Sequence, residues 1–271
     1  MNPLTNKDSN VQPAAQAETA STPPASASAG AESLFALLLK DDLTSEEKQL
    51  IVEQTLAFYE QNLNPGYLEF KKSSDAKAVE WTGSGAWMTD LDGHSFIDCL
   101  GGYGVFALGH RPPEVIAAVE KSLTRIGLTG QELLNPFQAA LAHRLAEISP
   151  GDLAYSYFHG GGAESNEAAF KIARLATGRV KHITMSNSFH GKTMGALAAT
   201  NRDVIRQPFE PLVPGFIEVP FDDLDALEHA MSEEIASVIV EPVQGEGGIN
   251  VPSDDFLPGV RALCDRYGAL M

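Results

Sequence analysis

The feature that most constrains the fold is an alternation of strand-like and helical segments between residues 155 and 267. The strand-like runs are short and apolar, and they are Tyr155–Phe158, His182–Met185 and Ser237–Val240. The helical runs are longer and amphipathic, and they are Glu164–Thr177, Leu224–Met231 and Leu257–Tyr267. Because helical connections join parallel neighbours, we predict an α/β fold, a mainly parallel sheet with helices on both faces.

The chain before this region divides into parts of different composition. Residues 1–32 combine small polar residues with alanine and proline and have almost no large apolar ones, so we expect a disordered leader. Residues 33–110 should form an N-terminal helix and a β-rich segment, and residues 111–271 should form part of the large α/β domain. The helix should end in a turn at Asn64-Pro65-Gly66. The β-rich piece, between Val79 and Cys99, should contain a hairpin.

Composition excludes several classes of function. With 36 acidic and 19 basic residues the net charge is −17, which would repel a nucleic acid backbone. The two cysteines, Cys99 and Cys264, lack the spacing of a metal site, so no metal is expected. No apolar run approaches the roughly 20 residues that span a bilayer. Since Lys7 is the only basic residue of the leader, no secretory signal is expected and the cytoplasm is the default location.

A glycine-rich turn is the first candidate site. The glycine turn, residues 159–163 (His-Gly-Gly-Gly-Ala), follows a strand-like run and precedes the helix that opens with Glu164. Glycines permit close approach, and the first N–H groups of a helix lack intrahelical partners, so this is a place for an anion such as phosphate. The alternative is a purely structural role, as a tight turn that binds no ligand. His159–Gly162 also matches an oxyanion-hole motif of serine hydrolases, but no serine has glycines at both −2 and +2.

Two further segments end apolar strand-like runs, where open α/β sheets bind ligands. The first of them, residues 188–193, lies in what we call the aromatic loop, residues 186–193. It carries Phe189 and His190, which taken alone are more often core or structural residues. The second, residues 240–248, lies in what we call the acidic loop, residues 239–250, and carries Glu241 and Glu246 among glycines. Two carboxylates five residues apart favour a role in handling charge, although solvated loop acids are common.

The three segments together, in this order, resemble the class III aminotransferases of fold type I, and most closely the putrescine aminotransferases. Supporting matches elsewhere lie at residues 64–69, 96–102, 131–134 and 241–248. The resemblance implies the cofactor pyridoxal 5′-phosphate, with residues 111–271 as part of its binding domain and residues 33–110 as part of the small domain. It also implies an amine or amino acid donor, terminal amines such as putrescine being preferred, a 2-oxo acid acceptor and a homodimer.

The same resemblance implies roles for individual residues. Backbone N–H groups of Gly161, Gly162 and Ala163 would hold the cofactor phosphate. Phe189 would stack on the pyridine ring with His190 beside it, while Glu241 would lie near the cofactor. Glu246 would lie near the substrate and pair with an arginine, as in some relatives.

The chain also departs from the family pattern. Its phosphate turn lacks the hydroxyl side chains of the common Asn-Ser-Gly-Thr sequence, so weaker or altered phosphate binding is expected. The family's catalytic aspartate and Schiff-base lysine follow later strands, and Ala269-Leu270-Met271 reads as the start of a buried strand. We therefore expect an N-terminal part of an enzyme, with no catalytic lysine and no activity alone. A non-catalytic fragment or pseudoenzyme is the alternative.

Overall fold

The computed structural model describes residues 34–73, 78–129 and 132–271, and the predicted disordered leader lies outside them. The described residues fall into two compact units, one reaching to Glu132 and one running from Leu133 to Met271. The domain boundary that the sequence places after residue 110 stays a prediction. In the described part of the chain, no helix combines the length and apolar character needed to cross a membrane.

The first unit opens with helices rather than with one helix and a turn. Helix α1, Ser45–Phe58, continues into a π-helical turn at Tyr59–Leu63, and helix α2 follows at Pro65–Ser73. The Tyr67 N–H donates to the Asn64 side-chain oxygen over 3.0 Å, so Asn64 satisfies a free donor at the start of α2. The helical run therefore ends at Asn64, as predicted, but Pro65 and Gly66 begin α2 and do not form a turn, because proline is favoured at the first helical position.

The rest of the first unit is a small antiparallel sheet and one more helix. Strands β1, Glu80–Ser84, β2, Trp87–Asp90, and β3, Ser95–Ile97, pair in the order β1-β2-β3. Gly93 has a φ of 92° in the turn between β2 and β3, which favours glycine, and the predicted hairpin is confirmed. A 3-10 turn at residues 101–104 precedes helix α3, Pro113–Leu123.

The second unit is a parallel three-stranded sheet with helices around it. Its strands are β4, Lys181–Met185, β5, Phe216–Val219, and β6, Ile235–Val238, in the order β5-β4-β6. Its helices are α4, Pro136–Ile148, α5, Gly162–Thr177, α6, Met194–Ala199, α7, Asp203–Arg206, α8, Leu224–Ala230, and α9, Phe256–Tyr267. The parallel sheet is as the alternation predicts.

Alternate residues of the central strand β4 face opposite layers. Ile183 is fully buried with Leu227 of α8 and Phe256 of α9. His182, also fully buried, packs instead against Phe170 of α5, with ring centroids 4.9 Å apart. Because side chains alternate along a strand, these contacts place helices on both faces of the sheet.

Two strand predictions differ from the structure. Tyr155–Phe158 is not a strand, because no described strand lies beside it to form backbone hydrogen bonds. The side chains of Tyr155 and Tyr157 are 98% and 74% exposed. Residues 239 and 240 lie beyond β6, which ends at Val238. At the chain end, Leu270 donates to the Ala236 carbonyl and accepts from the Val238 N–H, each over 2.9 Å, so this residue pairs in parallel with β6 as the sequence predicts.

Candidate active site

The glycine turn ends at the N-terminus of α5. Gly161 is the cap residue, and its carbonyl accepts the first helical hydrogen bond, from the Ser165 N–H over 3.0 Å. The N–H groups of Gly162 and Ala163 precede that bond and have no intrahelical acceptor. A Cβ built on Gly161 or Gly162 would meet nothing within 4 Å, so the space beside these two glycines is open. The geometry is that of an anion-binding helix N-terminus.

One carboxylate already lies at this turn. The Gly160 N–H donates to Oε2 of Glu164 over 2.9 Å, so this donor is taken by an acidic side chain. A carboxylate in the first helical turn is favourable for the helix, but its charge opposes an incoming phosphate. The anion site therefore has fewer free N–H donors than the three-glycine pattern indicates, and it centres on Gly161, Gly162 and Ala163.

The aromatic loop lies beside the acidic loop. Strands β4 and β6 are parallel neighbours, so the loops that follow them leave from the same edge of the sheet. The N–H of Phe189 donates to Oε2 of Glu241 over 3.2 Å. Both side chains are half-buried. The structure thus brings together two residues that lie 52 positions apart in the sequence.

His190 is buried and has one unused polar atom. Its N–H donates to the Thr200 hydroxyl over 2.9 Å, and its carbonyl accepts from the Asn166 side-chain amide over 2.6 Å. Among the described residues, nothing forms a hydrogen bond with its buried Nε2. Burial lowers the pKa of His190 to about 4, so the imidazole is neutral at pH 7. A buried ring nitrogen without a partner is a feature that a polar ligand would satisfy.

Gly191 joins the aromatic loop to the glycine turn. Its φ is 132°, and a Cβ at this position would lie 2.6 Å from the Ala163 Cβ and 3.0 Å from the Ala163 Cα. Only glycine allows the loop to approach the second residue of α5 so closely. The candidate phosphate donors and the Phe189 loop are therefore packed against each other.

The acidic loop is fixed by a buried amide. The Gln244 side chain is 1% exposed; its Nε2 donates to the Ser186 carbonyl over 2.7 Å and its Oε1 accepts from Asn250 over 3.0 Å. Burial raises the pKa of Glu241, N–H groups of Phe189 and Gly245 partly offset that rise, and the charge of Glu246 adds to it. Glu241 therefore holds a proton at higher pH than an exposed glutamate does.

Glu246 lies at the exposed side of the same loop. Its Oε2 is 3.3 Å from Nη1 of Arg202, and both side chains are partly exposed. An exposed pair of this kind contributes little to stability. Glu246 thus has an arginine neighbour in the structure, while the role that the family resemblance implies for it stays a prediction.

Adding a hydroxyl at the cap of α5 should stabilise the helix. We expect Gly161→Ser to raise the free energy of unfolding by a few tenths of a kcal/mol, because serine can accept a hydrogen bond from the first helical turn. The extended backbone of Gly161, with φ −162°, and the space around it accommodate a side chain. Urea unfolding measures the change, and a loss of stability would contradict the open geometry described here.

The chain was compared with known protein families and with solved structures. The family model for class-III aminotransferases matches residues 71–271. Ornithine aminotransferase from Toxoplasma gondii is 30% identical, with a TM-score of 0.72 over 81% of this chain and 52% of that one. An (S)-enantioselective omega-transaminase from Thermomicrobium roseum is 31% identical, with a TM-score of 0.72 over 85% of this chain and 57% of that one. A transaminase from Virgibacillus, 24% identical with a TM-score of 0.69, shares the fold.

The fold is that of the fold type I transferases, which depend on pyridoxal phosphate. The chain belongs to the class-III aminotransferase family, as its sequence motifs imply. It spans about half the length of the solved relatives that it matches.

Proposed function

We propose that the chain provides part of the cofactor site of an enzyme that transfers an amino group between an amine or amino acid and a 2-oxo acid. The observation that carries this proposal is the convergence of the three loops. Gly191 packs on Ala163 at the anion-binding N-terminus of α5, and the N–H of Phe189 donates a hydrogen bond to Glu241 in the acidic loop. In the Toxoplasma gondii relative, pyridoxal phosphate lies at the active site.

The residues present fit pyridoxal phosphate. The N–H groups of Gly162 and Ala163, which have no intrahelical acceptor, would hold the phosphate together with the cap residue Gly161. Phe189 would stack on the ring with His190 beside it, as the family resemblance implies, and the buried Nε2 of His190 has no hydrogen-bond partner among the described residues. The Glu164 carboxylate acts against this fit, and the missing hydroxyls add to that effect, so we expect weaker phosphate binding than a hydroxyl-bearing turn would give.

The bound cofactor supplies an electron sink for breaking a bond at the amine-bearing carbon. The chain's own residues hold and orient it. Neutral His190 offers a hydrogen bond without adding charge, and Glu241, whose pKa burial raises, holds a proton on its carboxyl oxygen more readily than an exposed glutamate. Gln244 keeps Glu241 in place by tying the acidic loop to the aromatic loop.

The finer assignments extend this proposal. A terminal amine such as putrescine is the donor we propose, on the sequence resemblance. We also propose that Glu246, which pairs with Arg202 in an exposed position, contacts or gates the substrate. Assembly as a homodimer, location in the cytoplasm and the absence of transamination by this chain alone stay predictions from the sequence.

Binding of pyridoxamine 5′-phosphate tests the proposal, because its amine does not react with lysine side chains and reports the site itself. We expect saturable binding by ligand fluorescence and a roughly fivefold loss of affinity for Phe189→Ala, since stacking contributes about 1 kcal/mol. Phe209→Ala is the matched control, because Phe209 is 57% exposed in another segment of the same unit. Absence of binding, or an equal loss in both variants, would contradict the assignment.

The serine hydrolase alternative makes a different prediction. Ser165 is next to the turn, but its hydroxyl donates to the Gly161 carbonyl over 3.1 Å. His159 is exposed, and its ring packs edge-on against Tyr157 with centroids 4.5 Å apart. Labelling of a single serine by a fluorophosphonate would favour the hydrolase, and neither of these two contacts supports that outcome.

A further inference from the structure

Two polar side chains of α5 hold the aromatic loop, and neither belongs to the three site segments. Asn166 donates from Nδ2 to the His190 carbonyl over 2.6 Å. Glu167 accepts through Oε1 from the Thr193 hydroxyl over 2.7 Å, from the Gly195 N–H over 2.9 Å and from the Ala196 N–H over 3.2 Å. The loop is therefore held on both sides of Gly191 by one turn of one helix.

The backbone around these bonds is shaped to receive them. Gly195 has no side chain where the Glu167 carboxylate lies, and a Cβ there would collide with both carboxylate oxygens. The Glu167 carboxylate also takes up N–H groups at the start of α6, which no intrahelical carbonyl can satisfy. Charge-assisted hydrogen bonds of this type are stronger than neutral ones, so Glu167 contributes a firm attachment.

The attachment has a geometric consequence. Asn166 and Glu167 lie on α5, within the turn that follows the donors of Gly162 and Ala163. The same rigid helix therefore carries the anion-binding end and the clamp on the loop that presents Phe189. A ligand with a phosphate and an aromatic ring needs the N-terminus of α5 and the Phe189 ring at a fixed separation. Inorganic phosphate needs only the N-terminus of α5.

We propose that Asn166 and Glu167 are positioning residues that set the distance between the phosphate donors and the Phe189 ring. The inference rests on the proposed cofactor site and extends it to residues that do not touch the ligand. Its signature is a loss of affinity for ring-bearing phosphates with the affinity for phosphate itself retained.

The experiment uses the full 271-residue chain and two probes. Pyridoxamine 5′-phosphate binding is followed by fluorescence, and inorganic phosphate binding by ³¹P NMR. For Glu167→Ala we expect at least a fivefold loss for pyridoxamine 5′-phosphate and a change below twofold for phosphate. Glu167→Gln keeps an acceptor oxygen and should recover most of the loss. Glu233→Ala, at an exposed glutamate, should change neither affinity.

Asn166→Ala covers the case in which Glu167→Ala does not fold, because it removes one hydrogen bond and leaves the three at Glu167. It should show the same selective loss. Equal losses for both probes, or unchanged binding of pyridoxamine 5′-phosphate, would overturn the positioning role while leaving the cofactor site in place. If the unaltered chain binds phosphate but not pyridoxamine 5′-phosphate, the proposed function itself fails, and the inference fails with it.

Discussion

Acidification from about pH 6.5 to about pH 4 should lower the free energy of unfolding of the second unit by several kcal/mol. Two buried histidines, His182 and His190, have their pKa lowered from 6.5 to about 4. The cause is burial at both positions, with the positive charge of Arg174 adding to it at His182. Each shift corresponds to about 3 kcal/mol between the two ends of this range.

The direction follows from proton binding. Between pH 4 and pH 6.5 the unfolded chain holds a proton on each histidine and the folded chain does not, so acid favours unfolding. The stabilisation is complete above the unfolded pKa and is lost as the pH falls towards the folded value. The structure gives His182 a further reason to remain neutral, since its Nε2 accepts from Arg174 over 3.1 Å while Nδ1 bonds to Ser237 over 2.8 Å.

Urea unfolding at a series of pH values measures this dependence. His182→Gln removes one titrating group and should reduce the slope by about half, although it also lowers the stability at pH 7. His229→Gln, at an exposed histidine of α8, is the matched substitution and should keep the slope of the unaltered chain. A slope that is the same with and without His182 would show that its imidazole does not govern the acid response.

Much of the second unit is predictable from local pattern. Helix α5 and strand β4 follow from apolar periodicity, and their observed bounds lie within two residues of the predicted ones. Tyr155–Phe158 has the same apolar character, but no strand among the described residues pairs with it. Periodicity along the chain does not predict whether a segment finds a partner strand. Strand β5, Phe216–Val219, lies outside the predicted strand set for a related reason, since only its pairing with β4 distinguishes it from other short apolar runs.

In the candidate site, too, the contacts of individual side chains are only partly predictable from the sequence. That Phe189 and Glu241 lie near each other is predictable, because both follow strands of one parallel sheet. The hydrogen bond from the Gly160 N–H to Glu164 is not predictable from the sequence, because a glutamate in the first helical turn has several N–H donors within reach. Asn166 and Glu167 look like ordinary helix residues in the sequence, and only the fold brings the loop of His190 to them.

Replacing Gly191 by alanine should destabilise the second unit by about 3 kcal/mol or more. The added Cβ would lie 2.6 Å from the Ala163 Cβ and 3.0 Å from the Ala163 Cα and the Ala196 Cβ, so backbone must move on at least one side. Overpacking of this kind costs about 1–3 kcal/mol, and the φ of 132° adds a conformational penalty.

Gly178→Ala separates the two contributions to this loss. Gly178 ends α5 with a φ of 69°, and a Cβ there would meet nothing within 4 Å, so only the conformational penalty of about 1 kcal/mol applies. Gly191→Ala should therefore cost clearly more in urea unfolding and should also weaken pyridoxamine 5′-phosphate binding, because the loop that carries Phe189 must shift away from the helix end. Equal losses of stability in the two variants would mean that the loop and the phosphate turn are not packed as closely as Ala163 and Gly191 imply.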